Sequence, residues 1–129
     1  MQILAVLLAA AAGFGAGSVW YMLNAKRWMA AVDGGEATMQ SSKAPLSFAI
    51  GIAANLMTAG LMRHILASAG VTGAGAALIA GLGLGLFAVA PWVLTNYAFA
   101  GRPKALWWID AGHVVLACAA IGLVLGLFL

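Results

Sequence analysis

The sequence predicts an all-α integral membrane protein that crosses the bilayer four times, with both termini outside. Three observations predict that fold class. First, 65% of the 129 residues are hydrophobic and only 7% are charged, whereas a soluble domain is about half apolar and about a quarter charged. So short a chain cannot build an interior large enough to hide that surface from water, and the excess must face lipid. Second, the charges act as punctuation. Lys26, Arg27, Asp33, Glu36, Lys43, Arg63, Arg102, Lys104 and Asp110 leave 1–25, 44–62, 64–101 and 111–129 free of charged side chains. Third, the apolar runs are long and continuous, without the ~10-residue alternation of barrel strands.

Each span follows from those runs, since a helix needs about 20 apolar residues to cross the hydrocarbon core. The first run gives a span at 2–24. It has no basic stretch ahead of its apolar core, so it reads as a retained helix rather than a cleaved leader. The second run, extended past Arg63, gives a span at 45–68. The run 64–101 is too long for one crossing, and Ser68-Ala-Gly-Val-Thr-Gly-Ala-Gly75 supplies a turn within it. A third span then occupies 76–98, with a kink expected at Pro91. Gly101-Arg102-Pro103 reads as a helix stop and turn, and the fourth span occupies 105–128. Together these make one four-helix domain, 1–129, with loops at 25–44 and 99–104.

Both loops fall on one side and carry Lys26, Arg27, Lys43, Arg102 and Lys104. The positive-inside rule makes that side cytoplasmic, as expected for a multi-pass protein of the bacterial inner membrane. Trp20, Trp28, Trp92, Trp107, Trp108 and Tyr21 all fall near the same boundary, an aromatic belt on one interface. Lys26-Arg27-Trp28 is expected to open a short interfacial helix that ends at Gly34-Gly35. Arg63 is near the opposite end of its span, and its long side chain is expected to reach the outer interface.

Several function classes lack support. The +3 net charge rests on few residues and forms no basic stripe for nucleic acid. One cysteine, Cys118, excludes an intrachain disulfide. One Cys and two His give no zinc spacing, and no metal or other cofactor is expected. The Gly-x-Gly-x-Gly runs are not nucleotide loops, because neither a strand nor a basic phosphate ligand accompanies them.

Small residues four apart share a helix face and let another backbone approach. Gly13 and Gly17 do so in span one, Gly81 and Gly85 in span three, Gly122 and Gly126 in span four. Span two lines up Ser47, Gly51, Asn55 and Thr58. Span four has a small face, with Gly112, Ala119, Gly122 and Gly126, and a second face with Asp110 and His113. Two faces imply two neighbours, one of them expected in a second subunit.

An ionisable group inside the membrane is a functional-site hypothesis by default. Asp110 is six residues beyond Lys104, about 9 Å deeper at about 1.5 Å per residue. His113 shares its face, and a carboxylate beside an imidazole can hold or relay a proton. Asn96, Tyr97, Tyr21 and Asn24 are at the same end and are expected to complete a polar cluster. Arg102 is close enough in sequence to neutralise Asp110. Asn55 matches the depth of His113, and a hydrogen bond between them would contribute on the order of 0.6–2 kcal/mol. The structural reading, polar groups paired to hold the fold, competes with a proton or transport site.

Asn96-Tyr-Ala-Phe-Ala-Gly-Arg-Pro103 followed by Leu106-Trp-Trp-Ile-Asp-Ala-Gly-His113 resembles the C-terminal signature of the bacterial membrane-protein family called domain of unknown function 1761. Gly17-Ser-Val-Trp-Tyr21 and Lys26-Arg-Trp-Met29 resemble its first hairpin. Met22-Leu-Asn-Ala25 departs from that family, which often has Pro and then Phe-Gly there. The resemblance spans nearly the whole chain. It implies four helices of this size, directs attention to Asn96, Arg102, Pro103, Asp110 and His113, and implies no activity.

The expectation is therefore a non-enzymatic interaction or structural subunit in membrane lipid, a homo-oligomer or an accessory part of a larger complex. The alternative is a small transporter or channel for a proton, ion or small solute that uses Asp110 and His113. An enzyme acting on lipid ranks last, since no acid–base–nucleophile set is apparent.

Overall fold

The computed structural model describes residues 1–129 and is all helical. The elements are α1 (Gln2–Ala31), α2 (Glu36–Ser42), α3 (Pro45–Ser68), α4 (Ala74–Leu84), a π-helical turn (Gly85–Val89), α5 (Ala90–Phe99) and α6 (Lys104–Leu125). Four helices are long and apolar enough to cross a membrane: α1, α3, the continuous α4–π–α5 segment and α6. They run up and down, so the two termini and the 69–73 turn share one end. The 32–44 connection and the 100–103 turn share the other, here called the loop end.

The four long apolar helices expected from the sequence are present, but the boundary of the first differs. No separate helix opens at Lys26. Ala25–Ala31 contains neither Gly nor Pro, so α1 simply continues for 30 residues, about 45 Å at about 1.5 Å per residue. That exceeds the length needed to cross a hydrocarbon core of about 30 Å. The break comes at Gly34 and Gly35, both with positive φ (+82° and +49°). The short α2 follows, with Glu36 in its first turn, where a negative charge suits the helix dipole.

At the other turn of the loop end, Gly101 has φ +63°, and the Arg102 N–H returns to the Tyr97 carbonyl at 3.0 Å. That six-residue closure is how a helix ends on glycine. Pro103 then precedes α6 directly. The irregularity expected at Pro91 takes the form of the π turn just before it. Proline has no N–H to give and its ring crowds the preceding turn, which a wider turn relieves.

The helix α6 is the centre of the bundle, with nine of its residues buried. Lipid offers no hydrophobic drive for helices to associate, so close backbone approach does the packing. On one flank α4 crosses α6 at glycine. A Cβ added to Gly81 would strike the Cys118 carbonyl oxygen and stand 3.1 Å from Gly122 Cα. One added to Gly122 would strike the Ala77 carbonyl. Gly85 meets Val115 and Gly126 meets Ala74 in the same way, at 2.7 and 2.6 Å from the Cα atoms. On the other flank, α1 lays Gly13 against Ile121 of α6 and Asn55 of α3. Gly15 and Gly83, the middle members of the two glycine triplets, meet nothing within 4 Å.

Both faces of α6 are thus covered within one chain. The small face meets α4, the Asp110–His113 face meets α1, and Gly112 leaves the small face to lie under Trp20. A third strip of α6, with Trp108, Leu116 and Leu123, stays exposed. The core concentrates toward the termini end, where Ala5 and Ala9, Met62 and Leu66, and Ile121 and Leu125 meet. There α3 is held by Ala59, Met62 and Leu66, while every residue from 42 to 50 is exposed. Arg63 is half-buried, and its Nε is buried without a hydrogen-bond partner.

Candidate functional site

Asp110 is two turns into α6 from Pro103, on the face that meets α1. Two tyrosines from different helices converge on it. The Tyr21 hydroxyl of α1 donates to Oδ1, and the Tyr97 hydroxyl of α5 donates to Oδ2 at 2.5 Å. The carboxylate therefore ties three helices at one point. Hydrogen bonds to a charged acceptor contribute about 1.5–3 kcal/mol each, more than neutral ones.

The clamp is framed by contacts on either side. One residue before Asp110, the Ile109 carbonyl accepts a hydrogen bond from Trp20 Nε1 at 2.7 Å. One turn deeper, His113 packs its ring on Tyr21, with centroids 4.8 Å apart and planes tilted by 43°. Gly17 makes room for that imidazole, since a Cβ there would stand 2.5 Å from His113 Nε2. His113 thus joins the site by packing. Gly17→Ala is expected to displace His113 and loosen the Tyr21 clamp, costing roughly 1–3 kcal/mol as overpacking does. Thermal unfolding in detergent checks this, with Gly15→Ala unchanged as the control.

Not every expected residue arrives. Asn96 is exposed and outside the cluster, because Tyr97 takes the inward position on α5. Asn24 turns back onto its own helix, donating to the Trp20 carbonyl at 2.9 Å. It lines an open groove of about 620 Å³ on the far side of the α1–α6 seam, with Trp20, Arg27 and Trp108. Asn55 does not reach His113. It donates to the Gly51 carbonyl at 2.9 Å, and its side chain lies against Gly13 instead. Arg102 shares a cleft with Asp110 but is exposed and does not pair with it. The tyrosines take that role.

The cleft has a volume of about 190 Å³ and opens at the loop end. Trp28, Asp33, Thr38, Tyr97, Arg102 and Asp110 line it. Thr38 caps the chain there by donating to the Asp33 carbonyl. Toward the termini end the α1–α6 seam is filled in turn by His113 on Gly17, Ile121 on Gly13, and the alanine-rich core. The cleft therefore approaches Asp110 from one side. Trp28, Asp33 and Thr38 escape a reading of the sequence that ends the first span at 24. The unbroken helix formers through Ala31 are the signal that would have carried α1 far enough to place Trp28 beside Tyr97.

The model of a family described as protein of unknown function (DUF1761) matches residues 4–126, nearly the whole chain. No curated protein and no solved structure matches.

Proposed function

We propose, for a chain that belongs to the DUF1761 family of proteins of unknown function, the role of a non-enzymatic interaction subunit of the bacterial inner membrane. Its loop end faces the cytoplasm, as Lys26, Arg27, Lys43, Arg102 and Lys104 favour. The observation that carries this reading is the Asp110 clamp. A carboxylate held by two tyrosines from two other helices serves first to fix those helices. The seam beyond it is packed with glycine and side chain rather than opened. What remains available to partners is the outer surface. Over its first half α3 leaves Leu46, Ile50 and Ile52 exposed, while Phe48 and Gly51 lie against Phe14 of α1. A second copy or another membrane subunit docks there, in place of lipid.

Cross-linking in native membranes, followed by purification in mild detergent, tests the role. The expected result is a discrete homo-oligomer or a defined heteromeric complex, weakened by Ile50→Trp. Recovery of monomer alone from cross-linked membranes would overturn it. One observation favours the transport alternative, namely that the cleft reaches Asp110 from the loop end. Proton or cation flux into proteoliposomes, lost in Asp110→Asn, would decide for that reading.

A further inference from the structure

The cleft at the loop end is more than an entrance to the Asp110 clamp. We propose that it binds a small organic monocation, the ammonium group of an amine, between the Asp33 and Asp110 carboxylates and the rings of Trp28 and Tyr97. This goes beyond the interaction-subunit reading and does not depend on it.

Three properties of the cleft lead there. Charge comes first. Among the residues that line the cleft, the carboxylates Asp33 and Asp110 face one basic side chain, Arg102, so acidic groups outnumber basic ones in the wall itself. Acceptor capacity is second. A carboxylate offers about four lone-pair positions, and the two tyrosyl hydroxyls use one on each oxygen of Asp110. The rest accept hydrogen bonds, and the tyrosines hold them in a fixed direction. The third is the wall. Trp28 and Tyr97 line the space with aromatic rings, whose faces attract a cation when it is partly desolvated.

The same features select the guest's chemistry. At about 190 Å³ the space holds on the order of six waters, room for an amine of a few heavy atoms. A bare metal ion is a poorer match, because no group of three His, Cys, Asp or Glu side chains converges anywhere in the chain. An ammonium needs only two carboxylates and a ring. The cleft is beyond the apolar part of α1 and lined by Trp28, next to the Lys26-Arg27 pair, a composition that suits a membrane's headgroup region. The ammonium can therefore come from a soluble amine or from the headgroup of an aminophospholipid.

The test uses the full chain in phosphatidylglycerol nanodiscs, titrated with ethanolamine by calorimetry, with ethylene glycol as the neutral counterpart. Saturable binding of ethanolamine and none of ethylene glycol is expected. Asp33→Asn, at an exposed position that the fold does not need, is expected to weaken binding roughly five- to tenfold. Trp28→Leu is expected to weaken it roughly three- to thirtyfold. Repeating the titration in phosphatidylethanolamine nanodiscs identifies the source. A curve moved to higher ethanolamine concentration assigns the guest to a lipid headgroup, and an unchanged curve assigns it to a soluble amine. Equal signals from ethanolamine and ethylene glycol, or an affinity unmoved in both folded variants, would overturn the proposal. Neither result bears on whether the chain assembles with partners, which cross-linking reads separately.

Discussion

Gly81→Ala is expected to be among the most damaging single methyl groups this chain can receive. The new Cβ points at the Cys118 carbonyl oxygen and at Gly122 Cα, 3.1 Å away. Both are backbone, so no side chain can rotate aside, and α4 must move off α6 as a unit. Overpacking of this kind costs about 1–3 kcal/mol and occasionally more. The upper end is expected here, because α6 also carries Asp110 and any shift of its axis is felt at the clamp. Unfolding in mixed micelles with increasing denaturing detergent measures the loss. Gly83→Ala is the internal control. It is on the same helix and makes the same change in composition, yet its Cβ meets nothing within 4 Å. Near-neutral behaviour at 83 beside a large loss at 81 would establish that the crossing, and not glycine content, is what matters. Gly122→Ala contests the same space from the other helix, so the double variant is expected to cost less than the sum of the two.

Asp110→Leu is expected to be comparably severe for a different reason. It removes the acceptor and leaves the Tyr21 and Tyr97 hydroxyls without a partner, at about 1–3 kcal/mol for each unsatisfied group. Asp110→Asn keeps one acceptor oxygen and is expected to lose about half as much. The decisive variant is the triple change Asp110→Leu, Tyr21→Phe and Tyr97→Phe. Replacing all members of a hydrogen-bonded set by apolar groups is often close to neutral. Recovery of stability in the triple variant, read by the same unfolding assay, would show that the clamp is structural glue in the fold. A triple variant that folds and assembles normally yet loses amine binding would separate the site's two roles.

How legible was this in the sequence? The four spans were, because charge-free runs of the right length leave a chain few other solutions in lipid. The packing glycines were legible too, since a four-residue spacing is a local property of one helix. Partner choice was not. That Gly81 meets Gly122 while Gly13 meets Ile121 depends on the rotation of each helix about its axis, which no single helix encodes. The polar cluster shows the same division. Asp110, Tyr21, Tyr97 and His113 could be grouped by depth, and they do meet. Asn24, Asn55 and Asn96 share suitable depths but point elsewhere, two of them bonding to their own helix four residues back. Depth is a count along the chain, whereas facing is an angle. Arg102 misled for another reason: proximity in sequence to Asp110 says little when two tyrosines, one of them 89 residues away, reach it first.

The π turn before Pro91 bears on that angle. Gly85 and Tyr97 are twelve residues apart, and in an unbroken α-helix at about 100° per residue they would be about 120° out of phase. A π turn takes in one more residue than an α turn, so the twelve steps advance as eleven would and the mismatch falls to about 20°. In effect the turn is a one-residue insertion retained inside a membrane helix. It lets one face serve two incompatible demands, glycine against α6 at the middle of the bundle and a tyrosine hydroxyl on Asp110 at its end. Pro91, exposed and remote from the carboxylate, belongs to the same device as Tyr97.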